Sequence, residues 1–148
     1  MDPKEPFPVC YPTVDIAIWH RHRLLLGHKR HEDAWRFIGG FAEPSSESYE
    51  ADAIREVFEE ANIRLHRGDL KYVGSFLVDD VRYTGPDRIK TILFEARLPE
   101  YAEPKPVAGD DIHEVEWFPY YDLEPKTVVK SHQPLLAYLL SKKGLTTT

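Results

Sequence analysis

The stretch from Gly39 to Ile63, GGFAEPSSESYEADAIREVFEEANI, places seven acidic residues behind a pair of glycines. Three of its glutamates are crowded into the segment REVFEE, at positions 56, 59 and 60. On a helix, residues three and four apart are neighbours, so these carboxylates converge and repel one another. A positive charge is needed to neutralise them, and this need constrains the chain more than any other feature of its sequence.

The segment from residue 47 to residue 61 is predicted to form an amphipathic helix. At about 100° per residue, apolar side chains fall on one half of the helix and charged side chains on the other. The apolar half consists of Ala53, Ile54, Val57, Phe58 and Ala61. The charged half consists of Asp52, Arg55, Glu56, Glu59 and Glu60.

Both ends of this helix carry recognisable signals. Ser45 or Ser46 is predicted to cap its start through a side-chain oxygen, and Asn62 suits its end because asparagine tolerates left-handed backbone geometry. Arg55 lies four residues before Glu59 and is expected to hold the carboxylate of that glutamate in place.

The rest of the chain is predicted to be a mixed β-sheet followed by a second helix. Short apolar or alternating segments predict strands at residues 13–19, 24–30, 35–40, 71–80, 89–98 and 113–118. Residues 132–143 form an amphipathic helical pattern that stops at Gly144. Residues 1–12 are predicted to be an irregular arm, and residues 13–148 a single domain of the α/β or α+β sandwich class.

Composition limits the function of the chain. Its 148 residues suit one domain, and its net charge of −6 argues against a general nucleic-acid-binding surface. Cys10 is the only cysteine, so no internal disulfide can form, which fits the reducing cytoplasm. No apolar run approaches the roughly 18 residues that a membrane span needs. We therefore expect a cytoplasmic protein without a general nucleic-acid-binding surface.

Acidic helix faces are in most proteins simply solvated. Two features favour a metal site here. The Gly39-Gly40 pair lets bare backbone approach a ligand closely. Convergent carboxylate oxygens also suit Mg²⁺ or Mn²⁺, especially when a substrate phosphate completes the coordination.

The same stretch resembles the Nudix box, Gly-x5-Glu-x7-Arg-Glu-U-x-Glu-Glu-x-Gly-U, in which U is bulky and apolar. The residues in register are Glu47, Arg55, Glu56, Val57, Glu59, Glu60 and Ile63. The sequence departs from the pattern at three points. The loop between Gly40 and Glu47 is one residue longer, Asn62 replaces the late glycine, and Ile38 stands where a proline often precedes the two glycines.

This resemblance implies a Nudix-type α/β/α sandwich that hydrolyses a nucleoside diphosphate linked to another group. By analogy, the metal ligands are Glu56, Glu59 and Glu60, with the carbonyl of Gly39 as a further one. The implied metal is Mg²⁺, with Mn²⁺ as the alternative. Glu56, Glu59 and Arg55 are also the implied catalytic residues.

Three further segments resemble the Nudix domain that is fused to bacterial nicotinamide-mononucleotide adenylyltransferases. They are GSFLVDDVRYTGPDR, IKTILFEARL and GDDIHEVEWFPYYDL, and the similarity covers roughly residues 13–140. Those domains are ADP-ribose pyrophosphatases, so the implied reaction converts ADP-ribose to AMP and ribose 5-phosphate in a stand-alone protein. Related enzymes are often dimers, and a homodimer is expected. A pyrophosphatase of nucleoside triphosphates or other sugar nucleotides, and a non-catalytic nucleotide-sensing domain, are the alternatives.

Substrate contacts are expected from residues outside the box. Arginines suit bidentate contacts to phosphate, and the candidates are Arg30, Arg36, Arg82 and Arg88. Candidates for stacking on the base are Phe41, Phe76 and Tyr83. By analogy, a loop carboxylate orients the attacking water or binds a further metal, and the candidates are Asp110, Asp111 and Glu114. Asp111 is also expected among the substrate-binding residues. The histidines lack a set of zinc-ligand partners and are expected at the surface.

Overall fold

A computed structural model describes residues 7–79 and 85–142. The strands are β1 (Cys10–His20), β2 (Arg23–Lys29), β3 (Ile38–Phe41), β4 (Lys71–Val78), β5 (Arg88–Leu98) and β6 (Ile112–Pro119). The helices are α1 (Tyr49–Ala61) and α2 (Gln133–Lys142). The predicted order of strands and helices is confirmed. Among the described residues, no helix is long and apolar enough to cross a membrane.

The sheet is mixed, as predicted. Its strands follow the order β4-β5-β1-β2-β6, and β3 pairs separately with β1. The long central pair, β1 and β5, is parallel, whereas the other pairings are antiparallel. Strand β1 contacts β3 through residues 13–16 and β2 only through residues 19–20. The start of β1 therefore lies beside the two glycines of β3.

Alternation along β1 builds two cores, one on each face of the sheet. Val14, Ile16 and Ile18 pack on one face with the apolar side of α1. Ala17 and Trp19 pack on the other face with the leucines of α2. The result is the predicted α/β/α sandwich, in which a period of two in the strand separates the two helices.

Helix α1 begins two residues later than predicted, and its cap is Ser48 rather than Ser45 or Ser46. Ser48 has an extended backbone, and its side chain accepts a hydrogen bond from the N–H of Ala51 at 3.0 Å. Ser46 instead donates to a carboxylate oxygen of Asp52 at 2.9 Å. The predicted end is confirmed, because Asn62 is left-handed with φ 56° and its N–H donates to the carbonyl of Phe58.

Some element bounds and one exposure also differ from the sequence prediction. Strand β3 begins at Ile38 rather than at residue 35, because Trp35 and Arg36 form only isolated bridges. Strand β1 begins at Cys10, inside the predicted irregular arm, because Cys10, Tyr11 and Pro12 extend the parallel pairing with β5. Phe58, predicted on the apolar side of α1, is 38% exposed. The guanidinium of Arg64 covers its ring at 4.3 Å from the ring centre, so the exposed face is partly shielded by a cation–π contact.

Candidate active site

A cavity of about 710 Å³ opens beside Gly39 and Gly40 and has two contrasting sides. What we call the acidic wall consists of Glu56, Glu60, Asp110 and Asp111. What we call the sheet wall consists of Thr13, Asp15, Val78, Ile89, Val129 and His132. The volume is that of a typical small-molecule site.

Gly39 and Gly40 lie so close to neighbouring atoms that there is no room for a side chain at either position. A Cβ on Gly39 would lie 2.1 Å from the carbonyl oxygen of Val14, and a Cβ on Gly40 would lie 2.7 Å from the carboxylate of Glu56. A larger residue at position 39 would meet backbone and displace β3 from β1, whereas a larger residue at position 40 would push the carboxylate of Glu56 aside. The glycines therefore allow the strand to pass directly over the helix carboxylates.

Glu60 is the most buried carboxylate of the acidic wall, with 3% exposure. One of its oxygens accepts the N–H of Gly39 at 2.9 Å. The pKa of Glu60 is raised to about 8, chiefly by burial and in addition by the neighbouring charges of Glu56 and Asp111, while the Gly39 N–H acts in the opposite direction. A cation bound here would relieve this unfavourable burial of charge.

A loop from Val107 to Asp111 brings the two aspartates to the end of α1. The N–H of Val107 donates to the carbonyl of Ala61 at 2.9 Å, and the N–H of Gly109 donates to the carbonyl of Glu60 at 3.1 Å. These contacts satisfy carbonyls that the last turn of a helix leaves without partners. Asp110 follows with φ 53°, a left-handed conformation that turns the chain back towards the cavity.

The acidic wall has the dimensions of a cation site. Carboxylate oxygens of Glu60, Asp110 and Asp111 lie within 4.8 Å of one another. Hard oxygen donors at such spacing fit Mg²⁺ or Mn²⁺. Lys29 partly balances the charge, because its ammonium lies 3.0 Å from Asp111. Although burial acts in the opposite direction, this contact with Lys29 lowers the pKa of Asp111.

Arg55 organises the remaining glutamates. Its guanidinium lies 2.8 Å from Glu56, 3.2 Å from Asp52 and 3.4 Å from Glu59. The expected contact with Glu59 is present, but the contact with Glu56 is shorter. Burial raises the pKa of Glu56, against the opposing effect of Arg55.

Glu59 differs from its two neighbours on the helix. Its side chain is 42% exposed and lies outside the lining of the cavity, whereas Glu56 and Glu60 are buried and line it. The three carboxylates therefore share one face of α1 but not one environment. Glu47, the remaining glutamate of the box, is exposed in the turn before the helix.

The candidate arginines occupy different places. Arg36 lines the cavity and forms a two-point contact with Glu32, with both N–O distances 2.9 Å. Arg30 is exposed beside a smaller neighbouring pocket that Asp110 and Asp111 also line. Arg88 is exposed and donates to the backbone carbonyls of Gly85 and Asp87. Arg82 lies outside the described residues. Arg36 is thus the candidate arginine that the fold brings to the cavity.

Only some of the candidate aromatic and acidic residues among the described residues line the cavity. Phe41 lines the cavity and is 40% exposed, whereas Phe76 packs against the ring of Tyr138 on the α2 side. Tyr83 lies outside the described residues. Asp110 and Asp111 line the cavity, but Glu114 is exposed on β6, opposite His28 of β2, and lies outside the lining.

Sequence reasoning missed the polar residues of the sheet wall. His132 is 6% exposed and His20 is 2% exposed, so the expectation of surface histidines is wrong for both. Asp15 and Thr91 are likewise buried, at 5% and 0%. An aspartate inside the otherwise apolar strand TVDIAIW was the one available signal, because a buried strand rarely carries an unpaired charge.

The segment before α2 fixes His132 over the sheet. The N–H of Trp35 donates to the carbonyl of Thr127 at 3.0 Å, and the N–H of Val129 donates to the carbonyl of Trp35 at 2.8 Å. The N–H of Phe37 donates to Nδ1 of His132 at 3.0 Å. Burial lowers the pKa of His132, which favours the neutral ring.

Comparison with known proteins identifies relatives of the whole fold. A family model described as NUDIX domain matches residues 11–139. None of the curated proteins compared with the chain matches it.

Solved structures give three similar folds. A MutT/nudix family protein from Enterococcus faecalis is 27% identical, with a TM-score of 0.63 over 78% of this chain and 45% of its own. A bifunctional NMN adenylyltransferase/ADP ribose pyrophosphatase from Francisella tularensis, complexed with AMP and a Mn ion, is 24% identical, with a TM-score of 0.65 over 95% of this chain and 43% of its own. The NUDIX domain of Shewanella oneidensis NrtR, complexed with ADP ribose, is 17% identical, with a TM-score of 0.70 over 97% and 94%. The chain spans less than half the length of the first two proteins.

Proposed function

The chain belongs to the NUDIX domain family, and on this basis we propose that it hydrolyses the diphosphate bond of a nucleoside diphosphate derivative. The observation that carries the proposal is the acidic wall. Four carboxylates converge on one side of a cavity of nucleotide size, and one of them, Glu60, is buried without a cationic side chain bonded to it among the described residues. A diphosphate can enter so negative a site only together with cations.

The residues present fit a divalent metal. Glu60, Asp110 and Asp111 would hold it, and Glu56 lies on the same wall. Glu59 is proposed as a further ligand, since its exposed side chain can reorient after losing only a 3.4 Å contact with Arg55. The carbonyl of Gly39, a residue that also lines the cavity, completes the proposed set. Bound there, Mg²⁺ or Mn²⁺ would neutralise phosphate oxygens and make phosphorus more electrophilic.

The protein's own side chains then position and protect the reaction. Arg55 fixes Glu56 through its 2.8 Å contact, so this carboxylate is oriented before substrate arrives. A carboxylate of the acidic wall accepts a proton from the attacking water, whose oxygen bonds to one phosphorus while the bond from that phosphorus to the bridging oxygen breaks. Arg36 is the proposed contact for a phosphate of the substrate, because a guanidinium binds phosphate through two parallel hydrogen bonds.

We propose ADP-ribose as the substrate and AMP and ribose 5-phosphate as the products. The Francisella protein is an ADP ribose pyrophosphatase that was solved with AMP and manganese, and the Shewanella domain was solved with ADP ribose. These relatives support an adenine nucleotide with a sugar phosphate in a fold of this shape. A cytoplasmic location and a homodimer are proposed with the same reaction.

The test is hydrolysis of a small panel with and without Mg²⁺. ADP-ribose, a nucleoside triphosphate and a second sugar nucleotide are incubated with the protein, and the products are separated by chromatography. We expect metal-dependent release of AMP and ribose 5-phosphate from ADP-ribose. Faster release of pyrophosphate from the triphosphate would favour the first alternative class. Binding of ADP-ribose without turnover, with every metal tried, would identify a sensing domain instead.

A further inference from the structure

Asp15 is a buried carboxylate that the proposed hydrolysis does not use. It lies in the first half of β1, on the sheet wall, and its side chain is only 7% exposed. Removing a carboxylate from water is costly unless hydrogen bonds or counter-charges replace the lost solvent. Its surroundings therefore show what kind of group belongs beside it.

The two oxygens of this carboxylate have different partners. Thr91 donates its hydroxyl to Oδ2 at 2.5 Å. Oδ1 lies 3.6 Å from Nε2 of His132, which is beyond hydrogen-bond distance. Among the described residues, the Thr91 contact is the only hydrogen bond to the carboxylate of Asp15. Within this part of the chain, Oδ2 is therefore hydrogen-bonded, and Oδ1 can accept a hydrogen bond from a ligand.

The neighbouring histidine supplies no full positive charge. Because Nδ1 of His132 accepts the N–H of Phe37, the hydrogen of the neutral ring is on Nε2, facing Asp15. Arg36, also in the cavity, is already paired with Glu32. Among the described residues, no arginine or lysine is therefore bonded to the carboxylate of Asp15.

Oδ1 of Asp15 lies next to the backbone of the cavity lining. A Cβ on Gly39 would approach Oδ1 of Asp15 to 2.6 Å, so this oxygen lies directly beside a glycine that lines the cavity. The apolar side chains of Val78, Ile89 and Val129 line the same wall. A carboxylate oxygen among apolar side chains disfavours a negatively charged phosphate beside it and favours an uncharged group that carries N–H or O–H.

We propose that Asp15 is a specificity-determining residue, whose Oδ1 accepts a hydrogen bond from an uncharged donor on the nucleoside part of the substrate. The donor is either the amino group of the base or a hydroxyl of the sugar attached to it. Thr91 and His132 are positioning residues that fix the carboxylate. This inference rests on the proposed function, because it assigns the nucleoside to the sheet wall and the diphosphate to the acidic wall.

The experiment compares three ligands that differ by one donor each. ADP-ribose is compared with its purine riboside analogue, which lacks the 6-amino group and gains no donor in its place, and with ADP-ribose made from 2′-deoxyadenosine. A site built to bind a donor rejects the analogue that lacks it, so the parent should show at least a ~100-fold lower kcat/KM for one of the two analogues. Asp15→Asn turns the acceptor facing the cavity into an amide donor, which should reduce that preference to less than ~10-fold. The analogue affected identifies the base or the sugar as the source of the donor.

Matched variants separate recognition from structure. Asp122→Asn changes an exposed aspartate of the turn after β6 and should leave the preference unchanged. Thr91→Val retains the shape of the side chain but removes the hydroxyl that holds Oδ2, so an intermediate loss of preference is expected. It also provides a second folded variant if Asp15→Asn fails to fold. Equal loss for all three substrates in both variants would overturn the proposal and leave Asp15 a structural residue.

Binding of the monophosphates tests the inference without turnover. Calorimetric titration with AMP, purine riboside monophosphate and 2′-deoxy-AMP should show the same preference and its loss in Asp15→Asn. If the parent hydrolyses none of the panel but keeps this preference in binding, the proposed function fails while the role of Asp15 stands. If the parent binds all three monophosphates equally, the role of Asp15 is wrong whatever the protein hydrolyses.

Discussion

The acidic wall and the sheet wall both bury carboxylates, yet they treat the charge in opposite ways. On the sheet wall, the carboxylate of Asp15 accepts a hydrogen bond from the hydroxyl of Thr91 and faces the N–H of His132. On the acidic wall, the carboxylate of Glu60 accepts one hydrogen bond, from the N–H of Gly39. Its neighbours in the cavity include Glu56 and two aspartates. The fold nearly satisfies the first carboxylate by itself and leaves the second dependent on something that binds.

This difference shows how one cavity can hold the two chemically distinct parts of a nucleotide derivative. Carboxylates that outnumber their cationic partners create a site for cations, and through cations for phosphate. A carboxylate fixed by neutral donors creates a site for an uncharged donor. Both arise from the same residue type, so the environment rather than the residue decides the ligand.

The largest effect is expected for Glu60→Gln. If the buried charge of Glu60 binds the metal, kcat/KM should fall by about 10³-fold, because the metal stabilises the transition state. Millimolar Mg²⁺ should raise the melting temperature of the parent and hardly that of the variant. Rate assays and thermal melts at zero and millimolar Mg²⁺ measure both. Glu114→Gln, an exposed residue on β6, is the matched control and should behave as the parent.

The metal-free melts carry a second expectation for the same residue. The folded protein holds the pKa of Glu60 at about 8, above the ordinary value of 4.5. Protonated Glu60 therefore contributes to the free energy of unfolding in full below about pH 4.5, and this contribution is lost as the pH rises through 8. In Glu60→Gln, this loss of stability with rising pH should be absent, and the variant should be at least as stable as the parent at pH 8. A variant that keeps both the activity and the Mg²⁺ response of the parent would contradict the comparison of the walls.

Asp111→Asn should have the next largest effect. If Asp111 orients or deprotonates the attacking water, kcat should fall by about 10²-fold while KM changes little. Asp110→Asn distinguishes the two neighbours, and steady-state kinetics with ADP-ribose measures both variants. A rise in KM at constant kcat would instead place Asp111 among the substrate-binding residues, as the sequence also suggested. Unchanged kinetics in both variants would leave Glu56 as the first candidate for the base.

Glu59→Gln tests a residue for which the sequence motif implies a metal ligand, although the side chain lies outside the cavity lining in the structure. The resemblance to the Nudix box makes Glu59 a ligand equal to Glu56 and Glu60, whereas the structure places it outside the cavity lining with an exposed side chain. We expect a loss of about tenfold or more in kcat/KM and a smaller Mg²⁺-dependent rise in melting temperature. An active variant with the Mg²⁺ response of the parent would remove Glu59 from the ligand set.

The sequence predicted the acidic wall far better than the sheet wall. Glu56 and Glu60 were found because helical spacing and a known motif fix their relation within a few residues. Asp15, Thr91 and His132 meet across 76 to 117 positions of the chain, and the pairing of β1 with β5 is what brings the first two together. No local pattern encodes such a contact. For the same reason, Lys29 was missed as the partner of Asp111.

The elements themselves were predicted well because their signals are local. Alternation in β1 and the leucines of α2 depend on neighbours within one strand or one helix. The predicted helix start was wrong because several neighbouring residues could act as the cap. Ser45, Ser46 and Ser48 are all competent caps, and only the extended backbone at Ser48 decides among them. The strand start at Cys10 depends on a distant partner, Arg88, and therefore could not be read locally.

Arg36 lies between the two walls, and its role gives the smallest expected effect. It is held by a two-point contact with Glu32, while Asp15 and Glu60 also act on it electrostatically. Burial acts to lower the pKa of Arg36, but the contact with Glu32 outweighs it, so the guanidinium stays charged. A phosphate of the substrate must therefore compete with Glu32 for the same guanidinium.

This competition predicts opposite effects for two variants. Arg36→Lys replaces the planar fork by a point charge, so KM for ADP-ribose should rise by about three- to tenfold with kcat nearly unchanged. Glu32→Gln leaves the guanidinium less strongly paired, so KM should fall by about two- to threefold, because part of the cost of releasing Arg36 disappears. Steady-state kinetics measures both, and thermal melts report any loss of folding. If Arg36 only links Glu32 to the fold, both variants should lose stability and neither should change KM. Opposite shifts in KM require that the phosphate and Glu32 bind the same group, which would join the acidic wall and the sheet wall through one arginine.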